Sequence, residues 1–155
     1  MHKSTYLPRD FTGDLIVAGR LWRRLTRAAT ARHGLAEAGV APLLWIGRLG
    51  EGVRQNVVAE KIGVEGASLV RVLDELTTAG FVTREPDPSD RRANLLQLTS
   101  KGRDTVARLE GDINELRNCV LGALDPADIA GAERVFAAIK AAAECLPASP
   151  LEAMD

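Results

Sequence analysis

Residues Val57–Gly102 read VVAEKIGVEGASLVRVLDELTTAGFVTREPDPSDRRANLLQLTSKG. The order of the short segments in this run decides the fold. A helix over Gln55 to Ile62 is stopped by Gly63. A second, from Gly66 to Ala79, carries Leu69, Leu73 and Leu76 at helical spacing with Val72 beside them. Gly80 follows, where a left-handed C-cap belongs. "FVTRE" is rich in β-branched and aromatic residues and reads as a strand. "PDPSDRRA" reads as a loop, since two prolines forbid a helix there. "NLLQL" is the returning strand of a β-hairpin.

On the N-terminal side, Phe11, Leu15, Ala18, Leu21, Trp22, Leu25 and Ala29 recur at three- and four-residue steps, which predicts a helix to about Arg32. "HGLAEAG" breaks it. Pro42 suits the first turn of the next helix, where its missing N–H costs nothing. That helix carries Leu43, Leu44, Trp45, Ile46 and Leu49 and ends near "GEG". Beyond the hairpin, Thr99 can cap a long helix bearing Val106, Leu109, Ile113, Leu116 and Val120. Asp125 and Pro126 mark the N-cap and first turn of a last helix, with Ile129, Val135, Phe136, Ile139 and Leu146. Residues 149–155 are expected to form a flexible tail. The sequence thus predicts a mainly α fold with a small β-hairpin wing: a winged helix-turn-helix over 41–99, flanked by helical segments 1–40 and 100–148.

Composition narrows the function. No apolar run approaches the roughly 20 residues of a membrane span, and "MHKSTYLPRDF" lacks the apolar region of a signal peptide. The expected location is the cytoplasm, with no membrane partner. Cys119 and Cys145 fit no metal or redox spacing, and His2 and His33 do not complete a zinc site with them. No nucleophile–base pair has supporting context. "GRLGEG" lacks the preceding strand and the lysine of a phosphate-binding loop. These absences argue against an enzyme, and no cofactor is expected. Net charge is −1, yet residues 1–47 hold seven bases and three acids while 104–155 hold four and ten. A basic front is therefore offset by an acidic end, and a local patch governs binding more than the total.

The helix "GASLVRVLDELTTAG" has the two faces that major-groove entry requires. Its leucines pack inward. Ala67, Ser68, Val70 and Arg71 lie on or near the other side, close to the N-terminal end. An arginine there can donate two bonds to a guanine edge, a valine can meet a thymine methyl, and a serine can serve base or phosphate. The tip adds Asp90, Arg91 and Arg92. An acid beside two arginines can pin one of them and leave the other for a narrow minor groove.

In these residues Val57–Gly102 resembles the winged-helix core of the MarR family of bacterial transcriptional regulators, in look nearest its SlyA branch. The most specific piece is Asp90-x-Arg92 followed, after five intervening residues, by Leu98-Thr99. The resemblance implies a homodimer whose N- and C-terminal helices intertwine. It implies a regulator, commonly a repressor, on palindromic double-stranded DNA with half-sites about one helical turn apart. Its spacing favours Arg92 over Arg91 as the residue that enters the minor groove.

Two places depart from the family pattern. Where Thr or Ser commonly caps the second and third helices, this chain has Ala41 and Arg54, and Val57 replaces a usual Glu. Each lost cap costs about 1 kcal/mol. Arg54, with Gln55 beside it, is a candidate phosphate contact. Relatives release DNA when phenolic acids bind, so Trp22 and Trp45 with Arg20 or Arg24 are the candidate pocket for an aromatic carboxylate. Ion pairing of Arg20, Arg23, Arg24, Arg27 and Arg32 with Glu110, Asp112 and Glu115 is the plainer use of those arginines. Other readings are a winged helix that binds protein instead of DNA, and a redox sensor using Cys119 or Cys145. A sensing thiolate needs exposure and a lowered pKa, whereas Cys119 lies in the apolar "NCVLGAL". His33 reads as a favourable residue at a helix C-terminus.

Overall fold

The computed structural model describes residues 10–50 and 52–145, with backbone alone at Arg91 and Arg92. The expected tail 149–155, Leu146 and His2 lie outside the described residues. The chain divides into two compact units, Met1–Leu116 and Arg117–Asp155.

The first unit opens with α1, Phe11–Thr30, followed by a 3-10 turn, Ala31–His33. Then come α2 (Glu37–Leu49), β1 (Val53–Arg54), α3 (Gln55–Ile62), α4 (Gly66–Thr78), β2 (Val82–Asp87), β3 (Asp90–Leu98) and α5 (Ser100–Leu121), which runs past the unit boundary. The second unit holds α6, Pro126–Cys145. This is a mostly helical winged-helix fold with an antiparallel three-stranded sheet in the order β1-β3-β2.

The element ends follow local chemistry. Gly63 and Gly80 both adopt left-handed φ, +74° each. At Gly80 the N–H bonds to Thr77 and the next N–H, of Phe81, bonds to Leu76. These paired bonds close the end of α4 as a Schellman motif. Thr99 Oγ1 accepts from the Gly102 N–H at 3.0 Å, the expected cap on α5. In the second unit, Asp125 Oδ1 accepts from the Ala127 N–H at 2.7 Å and Pro126 is the first helical residue.

The core of the first unit joins Leu43 and Ile46 of α2, Val58 of α3, Leu69, Leu73 and Leu76 of α4, Val82 and Leu96 of the sheet, and Leu109 and Ile113 of α5. α4 therefore docks by its leucine stripe and turns its other face outward. α5 is pressed onto the same lobe at Gly102, where a Cβ would collide with the Phe81 carbonyl.

Two sequence expectations require correction. Pro42 is not in the first turn: α2 begins at Glu37, and Pro42 is buried in its interior. Gly39, one turn earlier, packs against Leu76, so contact with α4 extends the helix upstream of its proline. The expected hairpin of β2 and β3 is present, and Val53 and Arg54 add a third short strand to it by pairing with Leu96 and Leu95. "PDPSDRRA" is not a long loop. β2 and β3 pair from Val82↔Leu98 to Pro86↔Asn94, slip in register, and close at Asp87↔Asp90. Pro86 is tolerated because β2 is an edge strand, where a missing N–H costs no sheet bond.

Candidate nucleic-acid interface

On α4 the outward residues are those expected. Ala67, Ser68, Val70 and Arg71 are all exposed. The Arg71 side chain is 88% exposed, its Nε resting 3.2 Å from Glu75 Oε1 one turn on. Acidic residues thus occupy the later part of the helix and leave its N-terminal half open.

Strand β2 holds this helix in place. Arg84 Nη1 pairs with Asp74 at 2.7 Å, and its Nη2 donates to the Val70 carbonyl at 3.1 Å. Between α4 and the sheet lies a cleft of about 430 Å³, lined by Arg54, Gln55, Asn56, Val70, Arg84 and Asn94, among others including Asp90. The structure therefore gathers four of the expected residues, Arg54, Gln55, Val70 and Asp90. Ser68 lines a different hollow, shared with Arg23, Pro42 and Val64. Asn56, Arg84 and Asn94 were missed. Their signal is positional: Asn56 follows Gln55 in the first turn of α3, and Arg84 and Asn94 lie on strands that only the three-dimensional sheet brings to the helix.

The wing turn is built on Asp87. Its Oδ1 accepts from the Ser89 N–H at 2.8 Å and the Ser89 hydroxyl at 2.6 Å. Its Oδ2 accepts from Arg54 Nε at 2.7 Å, while Arg54 Nη2 also donates to Ser89 Oγ at 3.0 Å. The Ser89 hydroxyl and amide, then Arg54, hold this buried carboxyl down to about 2 against the opposing effect of burial. The acid that shapes the turn is thus Asp87, whose signal was the Asp-Pro-Ser pattern of an Asx turn. Asp90 opens β3 opposite it, and Arg91 and Arg92 continue that strand with side chains outside the described residues.

A second hollow, about 480 Å³, lies between α1 and α2 and is lined by Trp22, Arg23, Arg27, Thr30, Leu35 and Leu44 among others. Of the expected pocket residues only Trp22 reaches it. Arg20, Arg24 and Trp45 do not line it. Arg24 is two helical steps, roughly 200°, around from Trp22, whereas Thr26 and Thr30 return to within about 80° of its direction. Arg27 pairs with Glu37 at 2.5 Å. Trp45 is half-buried under the Arg48 guanidinium, which pairs with Glu110 at 2.6 Å. Of the expected pairs, Arg32 does meet Asp112. His33 Nε2 joins them, 2.6 Å from Asp112 Oδ2, with both side chains buried. Hydrogen bonds from Arg32 and His33 hold the Asp112 carboxyl below its ordinary range, against desolvation. Cys119 and Cys145 are exposed free thiols. Among the described residues no His, Cys, Asp and Glu cluster can hold a metal, and no helix is long and apolar enough to cross a membrane.

The model of the MarR family matches residues 42–93, the segment that forms most of the helix-turn-helix and wing. The transcriptional regulator PA3341 is 33% identical, over 86% of this chain and 98% of its own, with a TM-score of 0.80. This chain belongs to the MarR family. Like other MarR-family members it is a transcriptional regulator. CouR from Rhodococcus jostii RHA1, bound to p-coumaroyl-CoA, is similar at 25% identity over 88% of this chain and 95% of its own, TM-score 0.77. The repressor CouR bound to a 23-mer DNA duplex matches at 27% identity over 88% and 99%, TM-score 0.69.

Proposed function

We propose that this MarR-family chain is a cytoplasmic, homodimeric repressor that reads palindromic double-stranded DNA through α4 and the wing. The observation that carries the reading is the exposed Ala67, Ser68, Val70 and Arg71 face beside the polar cleft of Arg54, Gln55 and Asn94. The N-terminal half of α4 enters the major groove, where Arg71 exchanges Glu75 for a base edge. The cleft receives the phosphate backbone through Gln55, Asn56 and Asn94, and Arg92, with Arg91 beside it, reaches the minor groove. The similar transcriptional repressor CouR, seen on a 23-mer DNA duplex, supports this use of the fold. Dimerisation is supported by exposed apolar side chains on α1, including Ile16, Val17 and Leu21, and on α6, Phe136 and Ile139.

We further assign the hollow at Trp22 to an aromatic effector with an anionic group. Trp22, Leu35 and Leu44 supply an apolar wall and Arg23 supplies a cation, while Arg27 is paired with Glu37, which lines the same hollow. The relative bound to p-coumaroyl-CoA supports a phenolic ligand class. Selection of bound duplexes from a random pool, with and without salicylate-like acids, tests both assignments. The expected result is a palindromic sequence released by the acids. Failure to select any sequence, with shallow salt dependence, would favour a protein-binding winged helix instead.

A further inference from the structure

We propose that Arg54 is a positioning residue of the DNA interface: a latch that fixes the wing turn to the start of the helix-turn-helix. The proposal rests on the DNA-binding reading above, and concerns how the reading elements are held.

Arg54 stands at the N-cap position of α3, yet its side chain makes no cap bond there. It reaches 33 and 35 residues along the chain instead, to Asp87 and Ser89. Its backbone meanwhile pairs with Leu95 of β3. One residue therefore joins β1 to β3 by its main chain and to the end of β2 by its guanidinium. The contact falls at the register break between Pro86 and Asp87, where sheet pairing alone holds the wing least well.

Exposed ion pairs contribute little, because two long side chains must be ordered for a screened attraction. This pair differs on the acid side. Asp87 is buried, with its side chain 6% exposed, and two Ser89 donors already orient it. Only the arginine is left to be ordered. The same bonds weigh against a direct phosphate contact. Arg54 Nε and Nη2 are committed to Asp87 and Ser89, and a phosphate would share the guanidinium with a carboxylate that neutralises it.

A double-mutant cycle on the DNA-binding protein separates the two roles. Arg54→Ala, Asp87→Asn and the double variant are titrated with the duplex that wild type selects, across a salt series, after circular dichroism confirms their helix content. A latch predicts that each single variant weakens binding on the order of tenfold. The double variant is then no weaker than either, and the salt slope is unchanged. A slope lowered by about one in Arg54→Ala, with Asp87→Asn binding as well as wild type, makes Arg54 a phosphate contact and overturns the latch. Amide hydrogen exchange in the free protein gives a readout without DNA. Arg54→Ala should speed exchange of the Ser89 amide about tenfold, with partial rescue in Arg54→Lys. Unchanged exchange refutes the latch. Wild type selecting no DNA refutes the functional reading and leaves this exchange result to decide the latch. Should Asp87→Asn fail to fold, Ser89→Ala removes one bond of the set and is expected to show the same pattern at smaller size.

Discussion

Arg71 projects from α4 with little to hold it except Glu75. Truncation to alanine should cost about 1–3 kcal/mol in binding and relax preference at one base pair. Arg92→Ala should instead weaken binding to all duplexes alike. Parallel selections with the two variants check this, and an unchanged preference in Arg71→Ala would move that residue to the backbone. Asp87 answers to pH. Its carboxyl, at about 2, lies below the 3.8 of an unfolded chain. The stability it contributes is full above about pH 4 and is lost as pH falls through about 2. Asp87→Asn should therefore be less stable than wild type at neutral pH, with the gap closing as pH approaches 2. Urea unfolding at a series of pH values measures it, and a pH-independent gap counts against the assignment. The outward face of α4 was legible because helical period alone sorts its side chains. The Arg54–Asp87 bond was not, since no local pattern links residues 33 apart.

Among the elements, α5 meets the reading lobe through a glycine. A side chain at Gly102 has no room against the Phe81 carbonyl, while Gly111 on the same helix has open space. Gly102→Ala should destabilise by about 1–3 kcal/mol through overpacking. Gly111→Ala should be neutral or stabilise by up to about 1 kcal/mol through helix propensity. Thermal unfolding of the two variants compares them, and equal effects would remove Gly102 from the contact. The helix ends at Gly63, Gly80, Thr99 and Asp125 were readable because capping is a matter of a few neighbouring residues. The start of α2 was not, because Gly39 and Pro42 are held helical by packing on α4 rather than by their own preferences. A two-residue β1 carries no alternation to detect, and the paired length of the wing depends on β2 being an edge.

For the whole chain, burial is unevenly shared. The first unit encloses a core from α2 to α5, while α6 has no buried residue across its twenty positions. Phe11, Ile16, Val17, Leu21 and Leu25 of α1 are likewise exposed. A twenty-residue helix rarely persists in water without an apolar surface to rest on. The unfolding midpoint should accordingly rise with protein concentration, as it does when assembly and folding are linked. Unfolding at several concentrations, alongside sedimentation, checks this, and a constant midpoint with a monomeric chain would sink the dimer. The unburied α6 also bears on gene dosage. Below the assembly constant, a regulator that needs a twin to read both half-sites has its active form fall with the square of its copy number. For the proposed dimer, halving the supply of chain then removes three quarters of the paired reader, and control of its targets would become steep in its own expression.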